Sequence, residues 1–266
     1  MREVTIVGSG LAGGLLAIYL AKRGYKLELF DVRPDPRTIR AEDGRSINLA
    51  LSCRGITGME GVGIMPQVKK LMVPMRARAI HEMQGQIKFQ SFGRHQNEYI
   101  NAIQRNDLNK LLLNEAEKYP KVKLNFDTKL IDLDVDKKIV VFKLPDGTLL
   151  KRNYELLIGA DGAGSAVREQ LHAEHFVHAS RTYLPYGYKE LSIGEPAQDH
   201  LIHEHLHLWP RNAFLLLGNP NLNQSITGSL FLPNEGKNSF AELDNDLKIR
   251  TFFKKHFRMH MLKCPI

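Results

Sequence analysis

The sequence predicts an α/β protein: a doubly wound, Rossmann-like domain carrying an inserted antiparallel β-sheet domain. Three features predict it. The chain opens with a strand, a glycine-rich turn and a helix; a second strand runs into a glycine turn at residues 156–168; and from about Ser180 short strand-like runs replace helical ones.

Glu3 to Val7 is mostly β-branched and apolar, the composition of a buried parallel strand. Gly8-Ser9-Gly10-Leu11-Ala12-Gly13 follows at once, then an apolar helical run from Leu15 to Leu20. A second short strand, Lys26 to Phe30, ends at Asp31, eighteen residues beyond Gly13. Strand, glycine turn, helix, strand and acid is the order a dinucleotide site requires. Gly8 permits the tight turn, Gly10 lets the backbone approach a pyrophosphate, and Gly13 allows the helix to pack closely on the strand. The helix N-terminus offers N–H groups and a positive dipole end to phosphates. Asp31 can accept hydrogen bonds from a ribose hydroxyl. Arg33 leaves the choice of dinucleotide open, since it suits the 2′-phosphate of NADP, an adenine face or a phosphate of FAD.

Farther on, Lys138 to Leu144 alternates like a strand, Pro145-Asp146-Gly147 is a turn, and Thr148 to Lys151 returns antiparallel. Leu156 to Gly159 reads as a buried strand that passes through Asp161-Gly162-Ala163-Gly164 into a helix capped by Ser165. There Asp161 and the backbone at Gly162 can approach a ligand; the alternative is a well-made turn that only caps the helix. Arg105 to Ala116 reads as an amphipathic helix with Asn106 or Asp107 as N-cap. Arg105, placed just before it, has no dipole reason to be there, which favours a ligand role.

Tyr186 to Ile193, Leu201 to Trp209, Ala213 to Leu217 and Ser225 to Leu232 read as four strands of a second domain. His203, His205 and His207 would share one face of the second of these, with His200 just before it. Three imidazoles can hold zinc. Only Glu204, on the other face, could join them, so exposed strand histidines are the preferred reading and no metal is expected.

The net charge of +8 is scattered in short pairs such as Lys69-Lys70, Lys137-Lys138 and Lys254-Lys255, without a nucleic-acid module. Two cysteines, Cys53 and Cys264, are too few for a disulfide scaffold. No apolar run approaches the roughly 20 residues of a membrane span. A cytoplasmic protein is expected.

Gly8–Gly13 with Asp31, followed by Gly159-Ala160-Asp161-Gly162-Ala163, resembles the first two signatures of the single-component FAD-dependent aromatic hydroxylases. Within that family the chain is most similar to the branch acting on L-kynurenine. The similarity is densest at Gly44-Arg45-Ser46-Ile47-Asn48-Leu49-Ala50-Leu51-Ser52 and at Pro74-Met75-Arg76-Ala77-Arg78-Ala79-Ile80-His81, and extends from about residue 3 to 257. The resemblance implies an oxidoreductase that binds FAD, consumes NADPH and O2, and inserts one oxygen beside the ring amino group through a flavin hydroperoxide, with no side chain as nucleophile. Its alternatives are a catalytically incomplete FAD-binding fragment, or a hydroxylase for a related aromatic substrate.

By the same resemblance, Ala12, Phe30, Asp31, Val32, Arg33, Ala50, Arg105 and Leu130 join the glycines, Asp161 and Gly162 as FAD contacts. Arg78 matches the arginine that grips the kynurenine carboxylate, and Phe92 stands where the family has a substrate-pocket tyrosine. Arg76 also matches, without a catalytic role. The FAD-binding domain is expected at 1–70 and 98–179 and the substrate domain at 71–97 and 180–257, with 258–266 a non-matching tail. The family's third signature, Gly-Asp followed by small residues, is not found, and by family length the chain looks C-terminally truncated.

Overall fold

The computed structural model describes residues 2–39, 47–193 and 203–257. Gly44, Arg45, Ser46, His200 and the 258–266 tail with Cys264 lie outside them. The chain opens with β1 (Glu3–Val7), α1 (Leu11–Ala21) and β2 (Lys26–Phe30). Then come β3 (Asn48–Leu51), α2 (Cys53–Val62), α3 (Met65–Lys69), β4 (Met72–Met75), β5 (Ala77–His81), β6 (Ile87–Ser91) and β7 (Ile100–Gln104). α4 (Arg105–Glu117) leads to β8 (Val122–Asn125), β9 (Lys129–Asp134), β10 (Ile139–Lys143), β11 (Leu149–Asn153), β12 (Leu156–Gly159) and α5 (Ala166–Ala173). The remainder is β13 (Tyr186–Ile193), β14 (His205–Arg211), β15 (Phe214–Pro220), β16 (Ile226–Pro233), a 3-10 turn at Phe240–Glu242, and α6 (Asp246–Phe257).

These elements divide into two compact units: the described residues of 1–45, 57–68 and 105–181, and those of 46–56, 69–104 and 182–266. The first is built on a parallel sheet of order β12-β1-β2-β8. Its central strands bury Ile6, Leu27 and Leu29 completely. On α4, Leu108, Leu112, Leu113 and Ala116 recur at helical spacing and are all buried, each leucine contributing about 2 kcal/mol. Gly14 lets α1 approach α4: a Cβ there would stand 3.2 Å from that of Leu112. The meander β9-β10-β11 packs Leu130, Leu133, Val140 and Phe142 against Val7 and Phe30. The rings of Phe30 and Phe142 stack at 4.0 Å.

Two local expectations change. β12 is the edge strand of its sheet rather than a buried one, and Leu156 is 51% exposed. Arg105 is the first residue of α4, not the residue before it, and Asn106 and Asp107 lie inside the helix. The reason is that β7 ends at Gln104 and runs into α4 with no loop between them.

The second unit holds a six-stranded sheet of order β13-β16-β15-β14-β5-β6. All its pairs are antiparallel except β14 with β5, where His205 faces Ala77 and Leu208 faces Ile80 in parallel. The sheet is therefore mixed. β5 comes from a distant excursion, so no hairpin imposes an antiparallel direction on it. One face packs Trp209, Leu216, Leu230 and Leu232 on Phe252, Phe253 and Phe257 of α6. A separate three-stranded sheet, β3-β7-β4, keeps 47–56 and 98–104 with this unit instead of the first, because Val73, Met75 and Ala102 pack with Leu206 and Asn48 bonds Asn221. Among the described residues no helix is long and apolar enough to cross a membrane.

Candidate functional site

In the first unit the glycine turn after β1 opens a cleft of about 550 Å³, lined in part by Gly8, Gly10, Leu11, Ala12, Phe30 and Asp31. Each glycine has its own reason. Gly8 has φ +101°, and a Cβ there would fall 2.4 Å from the Ala160 carbonyl oxygen. At Gly13 a Cβ would lie 1.9 Å from the Gly8 oxygen, so Gly13 is packed behind the cleft. At Gly10 a Cβ would meet only the Arg33 guanidinium, at 3.7 Å. Gly10 is also the N-cap of α1 and brings no capping side chain, which leaves the first-turn N–H groups for an anion.

Asp31 directly follows β2 at the cleft and is 4% exposed. Its Oδ2 accepts from Ser9 N, Ser9 Oγ and Arg33 Nη2, and its Oδ1 from Arg33 N and Nε, at 2.8–3.1 Å. Burial raises the carboxyl's pKa, but hydrogen bonds from Arg33 and Ser9 outweigh that and hold it below the usual range. Asp31, expected from the sequence to accept from a ribose, thus lines the cleft with both oxygens already engaged. Ser9 escaped the sequence reading; its only signal was its place between two glycines of the turn.

Val32, Arg33, Arg105, Leu130 and Gly162 also line the cleft. So does Asp161, although its carboxylate is turned to α5: Oδ1 accepts from Ser165 Oγ, and Oδ2 from the N–H groups of Ala166 and Val167. Ser165 in turn accepts from Arg168 N. Arg168 Nη2 donates to the Ala163 carbonyl at 2.7 Å and pins the turn. The carboxylate of Asp161 therefore caps the helix, contrary to the expectation that it approaches a ligand, while the residue itself borders the cleft. Ala50 lies on β3 of the second unit.

In the second unit, Arg78 on β5 donates from Nη1 to the Ser91 carbonyl at 3.2 Å, and its guanidinium sits 4.2 Å from the Phe92 ring centroid. Arg76, two residues earlier, pairs through Nε with Glu204 at 2.6 Å and lies over Tyr99. The histidines do not converge. His203 precedes β14 and bonds the Asn221 carbonyl; His205 meets the edge of Phe89; and His207 is 1% exposed, with Nδ1 2.8 Å from His81 Nε2. Hence His207 is a core residue rather than the exposed strand histidine expected. Among the described residues no three His, Cys, Asp or Glu are grouped to hold a metal. Burial, then His207 and Arg211, push the His81 pKa down to about 4.

A buried polar hub completes this unit. Asn221 Oδ1 accepts from Asn48 Nδ2 and Gln104 Nε2, while its Nδ2 donates to Ser225 Oγ and Thr227 Oγ1. It ties β3, the end of β7 and the β15–β16 turn together.

Comparison with known proteins adds three findings. A family model described as FAD binding domain matches residues 1–213. A protein of Legionella pneumophila (strain Corby) named kynurenine 3-monooxygenase is 56% identical over 257 residues, 97% of this chain and 57% of that protein. One of Salinispora arenicola with the same name is 40% identical over 260 residues, 96% of this chain and 57% of its own length. The chain thus spans a little over half the length of the curated relatives it matches. Among solved structures, a flavoprotein/dehydrogenase of Cytophaga hutchinsonii superposes with TM-score 0.77 at 14% identity, covering 100% of this chain and 64% of that one. PqsL of P. aeruginosa in complex with 2-aminobenzoylacetate gives 0.72 at 18% identity, covering 96% and 67%. At such identities these two matches speak for the fold alone.

Proposed function

The chain belongs to the FAD binding domain family, and from that premise we propose that it holds the FAD of an NADPH-consuming monooxygenase that hydroxylates L-kynurenine. The observation that carries the cofactor part is the cleft at the glycine turn, where an uncapped helix N-terminus meets Asp31, Arg33 and Arg105. These residues fit a dinucleotide. The first-turn amides of α1 would take the pyrophosphate, Asp31 a ribose diol, and the two arginines anionic charge. FAD, when bound, supplies hydride acceptance and oxygen chemistry that no side chain offers.

The balance is one ring C–H, O2, NADPH and a proton giving a phenol, water and NADP⁺. In this reading the chain's own residues bind and orient. Arg78 pairs with the amino-acid carboxylate of the substrate through its planar guanidinium, and Phe92 supplies an apolar wall. The ring amino group directs oxygen to the carbon beside it. Support for kynurenine over a related aromatic comes from the 56% identical relative and from Arg78, which has no carboxylate partner among the described residues. The reaction belongs in the cytoplasm, where the exposed Cys53 stays a thiol.

The test is NADPH oxidation by the purified chain with added FAD, with and without L-kynurenine, and the product mass recorded. A kynurenine-dependent rate with one oxygen gained is expected. Retained flavin with no turnover overturns the hydroxylase reading for this chain and leaves a flavin-holding protein.

A further inference from the structure

Two arginines two residues apart, Arg76 between β4 and β5 and Arg78 on β5, have opposite surroundings. Arg76 is exposed and its charge is met by Glu204. Arg78 is half-buried and meets no carboxylate among the described residues. Instead its Nη1 is committed to the Ser91 carbonyl, and its flat face lies on Phe92. Phe92 in turn is not a loose surface ring. It packs against the cluster of Val73, Met75, Ala102 and Leu206, so its plane is set by the core of this unit.

We infer that Phe92 is a positioning residue for Arg78: its ring face, backed by the core, fixes the guanidinium plane so that the Nε/Nη2 edge is presented to a carboxylate. This rests on the reading of Arg78 as the carboxylate grip proposed above. A guanidinium has five N–H donors in a rigid fork. With one edge spent on Ser91 and one face on Phe92, the Nε and Nη2 hydrogens form the pair left for a bidentate partner, which is free among the described residues. An arginine tethered at one point only would sample many rotamers and lose that freedom on binding. A ring that holds it beforehand removes much of this cost, and the cation–π attraction uses the face of the ring, not a hydroxyl. Phenylalanine at 92 therefore serves where the resemblance implies tyrosine: the change gives up a phenol and keeps the platform.

The full chain with FAD added is compared as wild type, Phe92→Leu, Phe92→Tyr and Arg78→Ala. One readout is the Arg78 Nε–H proton resonance, identified by its disappearance in Arg78→Ala. The other is the affinity for L-kynurenine beside that for kynuramine, the same aryl ketone without the carboxylate. In the wild type the resonance is expected upfield through the ring current; Phe92→Leu returns it downfield, and Phe92→Tyr keeps it. Phe92→Leu is expected to weaken L-kynurenine by about tenfold more than kynuramine, which loses only the apolar wall, and Phe92→Tyr to restore it. An Arg78 resonance unmoved in Phe92→Leu, or equal loss of both ligands, overturns the role given to Phe92. If Arg78→Ala keeps the preference for kynurenine over kynuramine, or the wild type has none, the carboxylate reading of Arg78 falls and the proposal with it. A shifted resonance then still reports the contact itself, so the two failures are told apart.

Discussion

Asp31 and Arg33 close on each other in a two-pronged ion pair, Nε to Oδ1 and Nη2 to Oδ2, both at 3.1 Å. With Ser9 on the same carboxylate, five donors already occupy its roughly four lone-pair sites. A ribose diol reaches Asp31 only after the guanidinium swings away. Arg33 is half exposed, so breaking the pair costs about 0.5–1 kcal/mol. Arg33→Ala is accordingly expected to speed FAD association by about two- to fivefold in stopped-flow flavin fluorescence. An unchanged or slower rate would mean that the pair does not compete with the ribose.

The glycines of the turn separate fold from ligand. Gly10 has φ −67° and space for a methyl group, so Gly10→Ala is expected to leave stability within about 0.5 kcal/mol while FAD affinity drops tenfold or more. Gly13→Ala drives a Cβ into the Gly8 carbonyl and is expected to cost about 2–3 kcal/mol. Urea unfolding and flavin titration of both variants check this; equal stability losses would sink the distinction.

Acid should act through His81 before Asp31. His81 is a base whose folded pKa, about 4, lies below its ordinary 6.5. Between those values the unfolded chain binds the extra proton, so the contribution is complete above pH 6.5 and shrinks as the pH falls toward 4. Allowing for its partial exposure, the loss is about 1–2 kcal/mol. His81→Phe keeps a ring on Trp209 and should flatten the slope of melting temperature against pH in this window. Asp31 is the opposite case. Its carboxyl is held below the usual range, so its contribution survives to about the unfolded value of 3.8 and is lost only as the pH falls through the folded value.

Removing the Asn221 side chain leaves Gln104 without this acceptor, Asn48 Nδ2 with only the Pro220 carbonyl at 3.4 Å, and Ser225 and Thr227 without this donor. Partly buried polar groups deprived in this way cost about 1–3 kcal/mol together. Asn221→Ala should lower the urea midpoint accordingly, without moving the flavin affinity of the first unit. A neutral substitution would show that water replaces the hub.

The first βαβ unit was legible because strand, turn, helix and acid follow one another within about thirty residues, where local rules apply. The last four strands of the second unit, β13 to β16, were legible too, since Pro, Asn and Gly punctuate them, whereas β3 to β7 were not read as strands. The parallel alliance of β5 with β14 was not, because it joins residues 77–80 to 205–208 and no local pattern encodes such a pairing. Asp31 was recognised from its position at the end of β2, but its engagement with Ser9 and Arg33 depends on side-chain geometry. Likewise the alternation of His203, His205 and His207 suggested a shared face, whereas the strand begins only at His205 and its core-facing histidine found His81 across the sheet.

β1 has one more consequence, for synthesis. It pairs with β2 on one side, available almost at once, and with β12 on the other, where Val4 meets Leu156. At typical elongation rates roughly six to twenty-six seconds separate their emergence from the ribosome. Throughout that interval an apolar strand carries a bare hydrogen-bonding edge. The nascent chain therefore carries an aggregation-prone edge until the short run Leu156–Gly159, leading to the second glycine turn, emerges.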